Sequence, residues 1–285
     1  MDLRYESVRL HIRNHYRLLH ISDVHFSSRT SHDKNIRMIG EMLALAESVH
    51  CPAPEFSEKN HPLDAVCITG DLVSRKCTRE SVSDALLLLR KLRELLREGV
   101  VFYSLGNHEM DLPPDVRENL FDCAREQGVI LLDNQSVTMH FNGDSEMDGI
   151  CFAGLTLPQS VYKNDKGRYW NLSAITRKMV KGCLGSCDVH PCVLLAHTPL
   201  GFPVYAKWGA DLVLSGHIHG GIIRMKDRGL LSPERRFMPK YTKGLFNEGK
   251  CVMNVSAGIG KFRLNNPPEL VCIDLVPDGK KVENL

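Results

Sequence analysis

The chain has 285 residues, which is long enough to bury a sizeable core in one large α/β domain or two small ones. Its 36 Lys and Arg residues against 34 Asp and Glu residues leave a formal net charge of +2, which argues against a protein dedicated to nucleic-acid binding. No segment approaches the roughly 18 uncharged apolar residues that a membrane-spanning helix needs.

The first half of the chain alternates predicted strands with predicted helices. Short apolar, β-branched runs predict strands over 16–22, 64–69 and 100–104. Apolar residues at helical spacing predict helices over 33–49, 81–98 and 115–127. Gly99 and Gly128 follow the last two helices as stop signals. The proline-containing segment 51–62, CPAPEFSEKNHP, is predicted to be a loop.

The second half is richer in strands. These are predicted over 130–133, 136–141, 149–155, 192–197, 211–217, 251–258 and 269–275. One helix is predicted over 172–183. The order of elements indicates an α/β fold, a two-sheet β-sandwich flanked by α-helices. Because no repeat, low-complexity segment or Gly/Ser linker interrupts the chain, a single domain over 1–285 is predicted.

The cysteines admit two interpretations. Cys67, Cys151 and Cys272 lie in apolar strand-like runs, which predicts buried free thiols. A closer group is formed by Cys183, Cys187 and Cys192. With His190 as a fourth ligand this group would make a zinc site, although its spacing matches no standard zinc motif.

Polar residues follow five of the predicted strands. In an open α/β sheet, ligands bind in the crevice at the carboxyl ends of the strands. We therefore expect these side chains to share one metal site. They are Asp23 and His25, Asp71, Asn107 with His108 and Glu109, His197, and His217 with His219.

The last of these groups lies in the stretch SGHIHGG, which raises a local question of geometry. Side chains two residues apart in an extended segment point to the same face. On that basis His217 and His219 are predicted to face one place while Ile218 turns to the other side. The flanking glycines allow the backbone to bend sharply beside a bound ion.

The ligand types favour particular metals. Two Asp, one Asn and four His give an oxygen and nitrogen set without thiolate, which suits Mn²⁺, Fe²⁺ or Zn²⁺. Seven ligands are too many for one ion and suit two, provided one carboxylate bridges them. Two metals about 3.5–4 Å apart activate a bridging water as hydroxide and clamp the oxygens of a phosphoryl group.

The blocks D-x-H, G-D, G-N-H-E, a lone H and G-H-x-H, in that order from about Leu18 to Leu275, resemble those of the calcineurin-like metallophosphoesterase superfamily. The tail GIGKFRLNNPPELVCIDL resembles most the bacterial branch of YkuE- and YaeI-type phosphoesterases. A hydrolase of the UDP-diacylglucosamine pyrophosphatase type is a related alternative. Members of that branch often carry an N-terminal export or membrane segment, which is not apparent in this sequence.

The resemblance implies a role for each matched residue. The bridging carboxylate would be Asp71. His108 would face the substrate as a general acid or as a donor to the phosphoryl oxygens. The first metal would be held by Asp23, His25 and His219, and the second by Asn107, His197 and His217.

Basic residues near these blocks are candidates for substrate binding. Arg75 follows Asp71, and Arg263 matches the position of a basic residue in the related branch. Glu109 is a candidate acceptor for orienting a histidine. The stretch after the GHIH motif is also basic and is predicted either to form a rim that attracts anions or to be a solvated loop.

These expectations define a dinuclear metal-dependent phosphoesterase, a hydrolase that we expect to act on phosphodiesters. The cofactors would be two divalent metal ions, with Mn²⁺ as the first candidate and Fe²⁺, Zn²⁺ or Ni²⁺ as alternatives. A nuclease, a protein phosphatase and a catalytically silent scaffold on the same fold remain as rival functions. The expected partner is a phosphate ester, with no nucleic acid and no obligate protein partner. A cytoplasmic location is expected, with at most peripheral membrane attachment through the basic segment VRLHIRNHYR.

Overall fold

The computed structural model describes residues 1–49, 62–96, 98–141, 144, 148–221, 223–225, 228–232, 237–260 and 263–278. Within these ranges the chain forms two six-stranded sheets and one two-stranded hairpin, with helices outside the sheets. The predicted loop over 51–62 lies outside the described residues, apart from Pro62.

The first sheet contains the strands of the N-terminal half and the last strand of the chain. Its members are β1 (Asp2–Leu10), β2 (Tyr16–Ile21), β3 (Ala65–Thr69), β4 (Val100–Ser104), β5 (Ile130–Leu132) and β14 (Glu269–Pro277). Their order in the sheet is β1-β14-β2-β3-β4-β5, and β2 to β5 run parallel. The parallel strands β2, β3 and β4 are buried along their whole length, as expected when both faces of a sheet are covered.

The second sheet comes from the C-terminal half. Its strands are β6 (Gln135–Met139), β7 (Ile150–Leu155), β8 (Cys192–Ala196), β9 (Leu212–Ser215), β12 (Gly244–Glu248) and β13 (Cys251–Val255), in the order β12-β13-β9-β8-β7-β6. The strands β7, β8, β9 and β13 are parallel. A separate hairpin joins β10 (Ile223–Met225) and β11 (Arg228–Leu231).

The two sheets pack face to face around a shared apolar core. The rings of Phe102 on β4 and Phe152 on β7 stack with their centroids 4.2 Å apart. Leu18 of the first sheet and Leu195 and Leu214 of the second are fully buried in the same cluster. The predicted two-sheet sandwich is therefore confirmed.

Helices cover the outer face of each sheet. On the first sheet these are α1 (His32–Ser48), α2 (Arg79–Leu95) and α3 (Pro114–Glu126), and on the second α4 (Arg177–Leu184) and α5 (Phe202–Trp208). The helix predicted over 172–183 begins only at Arg177, because the Thr176 side chain accepts a hydrogen bond from the backbone N–H of Met179 and caps it there. The helix α5 was not predicted, since seven residues are too few to show a periodic pattern.

The first strand, β1, was not predicted from the sequence, and it includes only the first three residues, 8–10, of the basic segment VRLHIRNHYR. β1 pairs in parallel with β14 over nine residues, so the two ends of the described chain lie side by side. No helix among the described residues combines the length and the apolar character that crossing a bilayer requires.

The cysteines behave as predicted for buried thiols. Cys67, Cys151 and Cys272 are all buried. Cys187 and Cys183 instead direct their thiols toward backbone carbonyls, those of Gly209 and Thr156. Among the described residues, the groups of side chains with metal-ligand spacing do not include any of these cysteines, so the zinc alternative has no structural support.

Candidate metal centre

The predicted site residues lie at one edge of the sandwich, where the carboxyl ends of five parallel strands meet. Three of these strands, β2, β3 and β4, belong to the first sheet, and β8 and β9 belong to the second. Backbone hydrogen bonds join the strand ends: the N–H of Asp23 donates to the carbonyl of Gly70, and the N–H of Gly216 donates to that of His197. The site therefore spans both sheets.

The backbone at these positions is unusual. Asp23, His25 and Asp71 have φ angles of 53°, 57° and 52°, and His217 and His219 have φ angles of 67° and 53°. A non-glycine residue in this left-handed region costs of order 1–3 kcal/mol, and such strain concentrates at functional sites. The extended geometry predicted for the GHIH motif is wrong, because β9 ends at Ser215 and both histidines lie in a turn.

One group of side chains comprises Asp23, His25 and His219, which are all buried. The Nε2 atoms of both histidines lie 3.6 Å from Asp23 Oδ1. The other carboxylate oxygen, Oδ2, accepts hydrogen bonds from Ser22 Oγ at 2.7 Å and from the backbone N–H of His217 at 2.8 Å. Oδ2 is thus held by the protein, while Oδ1 accepts no hydrogen bond from the described residues.

A second group comprises Asp71, His197 and His217. His197 Nδ1 donates to the carbonyl of Thr69 at 2.7 Å, which leaves Nε2 directed at Asp71. Nε2 of His197 lies 3.2 Å from Nδ1 of His217, a separation compatible with two nitrogens each about 2.1 Å from one ion.

Asp71 belongs to the second group and also to a third, with His25 and His108, so it links the two sides of the site. Its Oδ1 accepts a hydrogen bond from the backbone N–H of His108 at 2.9 Å. Its Oδ2 is 3.3 Å from Nε2 of His197 and 3.6 Å from Nε2 of His25, so it faces one histidine of each group. A carboxylate in this position has the geometry that a bridging ligand requires.

Asn107 follows β4 and lines the same cavity as Asp71 and His217. Its Oδ1 is buried and has no hydrogen-bond partner among the described residues. Gln159 fixes the backbone here by donating from Nε2 to the Asn107 carbonyl at 2.6 Å. The sequence analysis missed Gln159 because it lies 52 residues away with no motif around it.

Electrostatics keep the carboxylates ionised. Burial opposes the charge of Asp23, but His219 and His197 outweigh it and hold its pKa well below the ordinary value. Burial likewise opposes the charge of Asp71, and the neighbouring histidines, His108 first, hold its pKa well below the ordinary value too. For His197, burial disfavours the imidazolium, yet Asp71 and Asp23 raise its pKa to about 9.

Glu109 supports the loops rather than a histidine. Its carboxylate accepts from the backbone N–H groups of Asp71 at 2.9 Å, Gly106 at 2.8 Å and Val73 at 3.2 Å. Burial and the charge of Asp71 raise its pKa to about 7. The predicted role of orienting a histidine is therefore wrong, because all three donors are backbone amides of the turns after β3 and β4.

His108 is oriented by the loop after β3. Its Nδ1 accepts a hydrogen bond from the backbone N–H of Arg75 at 3.1 Å. A neutral imidazole that accepts at Nδ1 carries its proton on Nε2, and Nε2 lies 3.8 Å from Asp71 Oδ2. His108 therefore presents an N–H donor to the centre of the site.

The two predicted substrate-binding arginines differ in position. Arg75 lines the cavity over the site, with its side chain 45% exposed and 3.9 Å from Asp111. Arg263 instead donates to the carbonyls of Ala257, Gly258 and Gly260, and does not line either cavity beside the site. Its guanidinium thus braces the loop after β13.

The predicted basic rim is only partly within the described residues. Lys226, Arg235 and Arg236 lie outside them, and Arg228 is described only as part of β11. Of the others, Arg224 donates to the Gly220 carbonyl, Lys243 pairs with the buried Glu269, and Lys240 lies over the Tyr241 ring. None of these three lines either cavity beside the site, so the rim is not supported by the described residues.

Two cavities adjoin the centre. The smaller, of about 50 Å³, lies over Asp71 and Asn107 and is also lined by Tyr162, Lys163 and Tyr169, which the sequence analysis did not identify. The larger, of about 740 Å³, extends from His25 and His108 toward α1. Both cavities are lined by His108 and Arg75, so these residues lie at their junction.

The residues at the centre fit divalent cations. Asp23 Oδ1 and Asn107 Oδ1 are buried acceptors without a hydrogen-bond partner among the described residues, and leaving such an acceptor unsatisfied costs about 1–3 kcal/mol. Imidazole and carboxylate groups converge at the centre without any thiolate, and the Asn107 amide lines the cavity beside them. This donor set is the one expected for Mn²⁺, Fe²⁺ or Zn²⁺.

Comparisons with known proteins agree with this geometry. Residues 16–221 match the family of calcineurin-like phosphoesterases. The chain is 25% identical to the uncharacterized metallophosphoesterase YkoQ of Bacillus subtilis over 254 residues, which are 89% of this chain and 79% of that protein. It is 24% identical to the metallophosphoesterase YkuE of the same organism over 203 residues, which are 70% of this chain and 62% of that protein.

A third relative is longer than this chain. It is a bovine transmembrane protein with a metallophosphoesterase domain, 30% identical over 219 residues. These residues are 74% of this chain and 41% of the bovine protein. The chain thus spans less than half of that relative and about four fifths of YkoQ.

Proposed function

Because this chain belongs to the calcineurin-like phosphoesterase family and is a metal-dependent hydrolase of phosphoric esters, we propose that it is a dinuclear phosphodiesterase. The observation that carries the proposal is the position of Asp71, whose Oδ2 faces His197 at 3.3 Å and His25 at 3.6 Å. In this proposal two cations would share Asp71 as a ligand. One would be held by Asp23, His25 and His219, and the other by Asn107, His197 and His217.

The cations, when bound, lower the pKa of a water molecule and polarise the phosphoryl oxygens. The chain itself supplies the proton donor. His108 donates its Nε2–H to the phosphoryl group or to the leaving oxygen. The backbone N–H of Arg75 donates to Nδ1 of His108 and so fixes the orientation of the ring. Glu109 holds the two turns that carry Asp71 and Asn107 in register, since it binds amides from both.

The space around the centre supports a phosphoryl group that carries a large substituent. The two cavities meet at His108 and Arg75, and the larger has a volume of about 740 Å³ while the smaller has about 50 Å³. A phosphoryl group at the centre therefore has room for one large substituent and only a small group on the other side, and this space supports the choice of a diester.

We propose Mn²⁺ as the native metal, which is supported by the mixed oxygen and nitrogen donors and the lack of thiolate at the centre. We also propose that residues 1–285 form a single domain. The pairing of β1 with β14 supports this, because it closes the first sheet with segments from opposite ends of the chain.

The test compares hydrolysis of bis-p-nitrophenyl phosphate with that of p-nitrophenyl phosphate by metal-stripped protein after Mn²⁺ is added back. The proposal predicts metal-dependent turnover with a higher kcat/KM for the diester. A higher kcat/KM for the monoester would show that the enzyme is a phosphomonoesterase rather than a phosphodiesterase. No turnover of either with Mn²⁺, Fe²⁺ or Zn²⁺ would favour a catalytically silent scaffold.

A further inference from the structure

The larger cavity beside the centre is a candidate binding site for part of the substrate. Outside the centre it is lined by the loop 27–30 after β2, the first turns of α1, residues 74–76 after β3, and Gly260 after β13. It shares His25 and His108 with the centre, so a molecule bound at the centre extends directly into it. Its volume of about 740 Å³ is within the range of small-molecule binding sites.

The charges lining this cavity are all positive. Arg29, Arg75 and Lys76 line it, and no Asp or Glu is among the described residues that do so. Arg29 and Lys76 are exposed and form no ion pair with another described residue. Arg75 also lies 3.9 Å from Asp111, so Arg29 and Lys76 are the two cations that face this cavity without a carboxylate among its described lining residues. Such cations attract an anion, and a guanidinium group binds phosphate in bidentate fashion.

A buried amide adds a second, independent feature. Asn35 lines the cavity from α1 and is only 1% exposed. Its Nδ2 donates to Asp84 Oδ2 at 2.7 Å, which fixes the amide orientation because an ionised carboxylate only accepts. Its Oδ1 is buried and has no hydrogen-bond partner among the described residues. The Asn35 amide is therefore a fixed polar group in the wall of the cavity.

We propose that this cavity, the α1 groove, binds the leaving group of the substrate, and that this leaving group is an alcohol carrying a second phosphate. The inference rests on the proposed phosphodiesterase function. In the reaction, the oxygen of water bonds to phosphorus and gives up one proton to solvent as the P–O bond to the alcohol breaks. The alcohol oxygen takes the bonding electron pair and a proton from His108, which lines both cavities and is reprotonated from solvent. The products are a phosphomonoester and a phosphorylated alcohol.

A binding experiment tests the α1 groove without turnover. Inorganic phosphate is titrated calorimetrically into metal-stripped protein at low salt. Wild-type protein should bind it, and the double variant Arg29→Ala/Lys76→Ala should bind it about tenfold more weakly or not at all. Lys178→Ala removes an exposed cation from α4 on the other sheet and should leave binding unchanged. Equal binding by the double variant would overturn the assignment of these cations.

A turnover experiment uses two diesters that differ only in one phosphate. They are adenosine 5′-(methyl phosphate) and its 3′-phosphorylated form, in which the two ester alcohols are similar leaving groups, with products separated by chromatography. The wild-type KM should be about tenfold lower for the phosphorylated diester, and adenosine 3′-phosphate should be the alcohol released. In Arg29→Ala/Lys76→Ala the two KM values should converge, while kcat and the KM of the unphosphorylated diester stay unchanged.

The outcomes separate the two proposals. Equal KM values for both diesters in a wild-type enzyme that hydrolyses bis-p-nitrophenyl phosphate would overturn the α1 groove alone. Release of adenosine 3′,5′-bisphosphate in place of adenosine 3′-phosphate would also overturn it, because the phosphorylated arm would then not be the leaving group. Failure to hydrolyse any diester would overturn the phosphodiesterase function instead.

Discussion

Replacing Gly216 by Ala should lower the affinity of the centre for a cation, although Gly216 is not itself a metal ligand. A Cβ atom at Gly216 would enter the space of Ser22 Oγ and Asp23 Oδ2, and would lie 2.8 Å from Ser22 Cβ. Those atoms belong to the hydrogen bonds that hold Asp23, from Ser22 Oγ at 2.7 Å and from the His217 N–H at 2.8 Å. The methyl group therefore has to displace Asp23.

The size of the effect follows from these two bonds. Each hydrogen bond to a charged acceptor contributes about 1.5–3 kcal/mol, so losing both costs roughly 3–6 kcal/mol at Asp23. If that cost falls on metal binding, the affinity for one cation drops by about two orders of magnitude or more. Titration of Mn²⁺ into metal-stripped Gly216→Ala protein, followed by calorimetry, measures it directly.

The matched control is Gly40→Ala. Gly40 lies in α1, and an added Cβ there would meet no atom within 4 Å. This variant should bind Mn²⁺ as the wild type does and should gain up to about 1 kcal/mol in free energy of unfolding. Wild-type Mn²⁺ affinity and turnover in a folded Gly216→Ala protein would refute the role assigned to Asp23 packing.

Three further predictions concern other parts of the account. Asp71→Asn should abolish metal-dependent turnover. The variant should stay folded, since its amide oxygen still accepts a hydrogen bond from the His108 N–H. Normal activity of the variant in the diester assay would show that Asp71 is not a metal ligand. His108→Ala should lower kcat by about 10²–10⁴-fold with metal content unchanged by elemental analysis, and loss of metal would instead make His108 a ligand. Asp274→Asn should lower the free energy of unfolding by about 3–5 kcal/mol at pH 7, because the buried Arg17 guanidinium loses the negative charge that it pairs with. Burial opposes the charge of Asp274, but hydrogen bonds from His15 and Arg17 outweigh it and lower the pKa of Asp274. The contribution of Asp274 to the free energy of unfolding is therefore complete above the ordinary pKa of 3.8. It is lost as the pH falls through the lower pKa of the native state. Urea unfolding of wild type and variant between pH 5 and pH 2 checks this, and an unchanged difference across that range would contradict it.

Much of the fold could be predicted because its strands are short, buried and bounded by clear turn residues. The parallel strands β2, β3, β4, β8 and β9 each read as an apolar run followed by a polar residue, and parallel topology then brings those polar residues to one edge. This is why all the predicted ligands lie together. β1 escaped prediction since its partner, β14, lies at the other end of the chain.

The local geometry of the site could not be predicted from sequence. The left-handed conformations of His217 and His219 depend on contacts made elsewhere, such as the Gly216 N–H bond to the His197 carbonyl. Nothing in the sequence near Glu109 indicates that its carboxylate binds amides of two separate turns. Gln159 and Tyr162 approach the centre from a segment without any motif.

The central claim is that two cations lie on opposite sides of Asp71, and the most direct test is the stoichiometry of Mn²⁺ binding to metal-stripped protein by calorimetry. The account predicts two ions for the wild type and one each for His219→Ala and His217→Ala, because these histidines belong to different groups. Binding of a single ion by the wild type, or loss of the same ion in both variants, would contradict it.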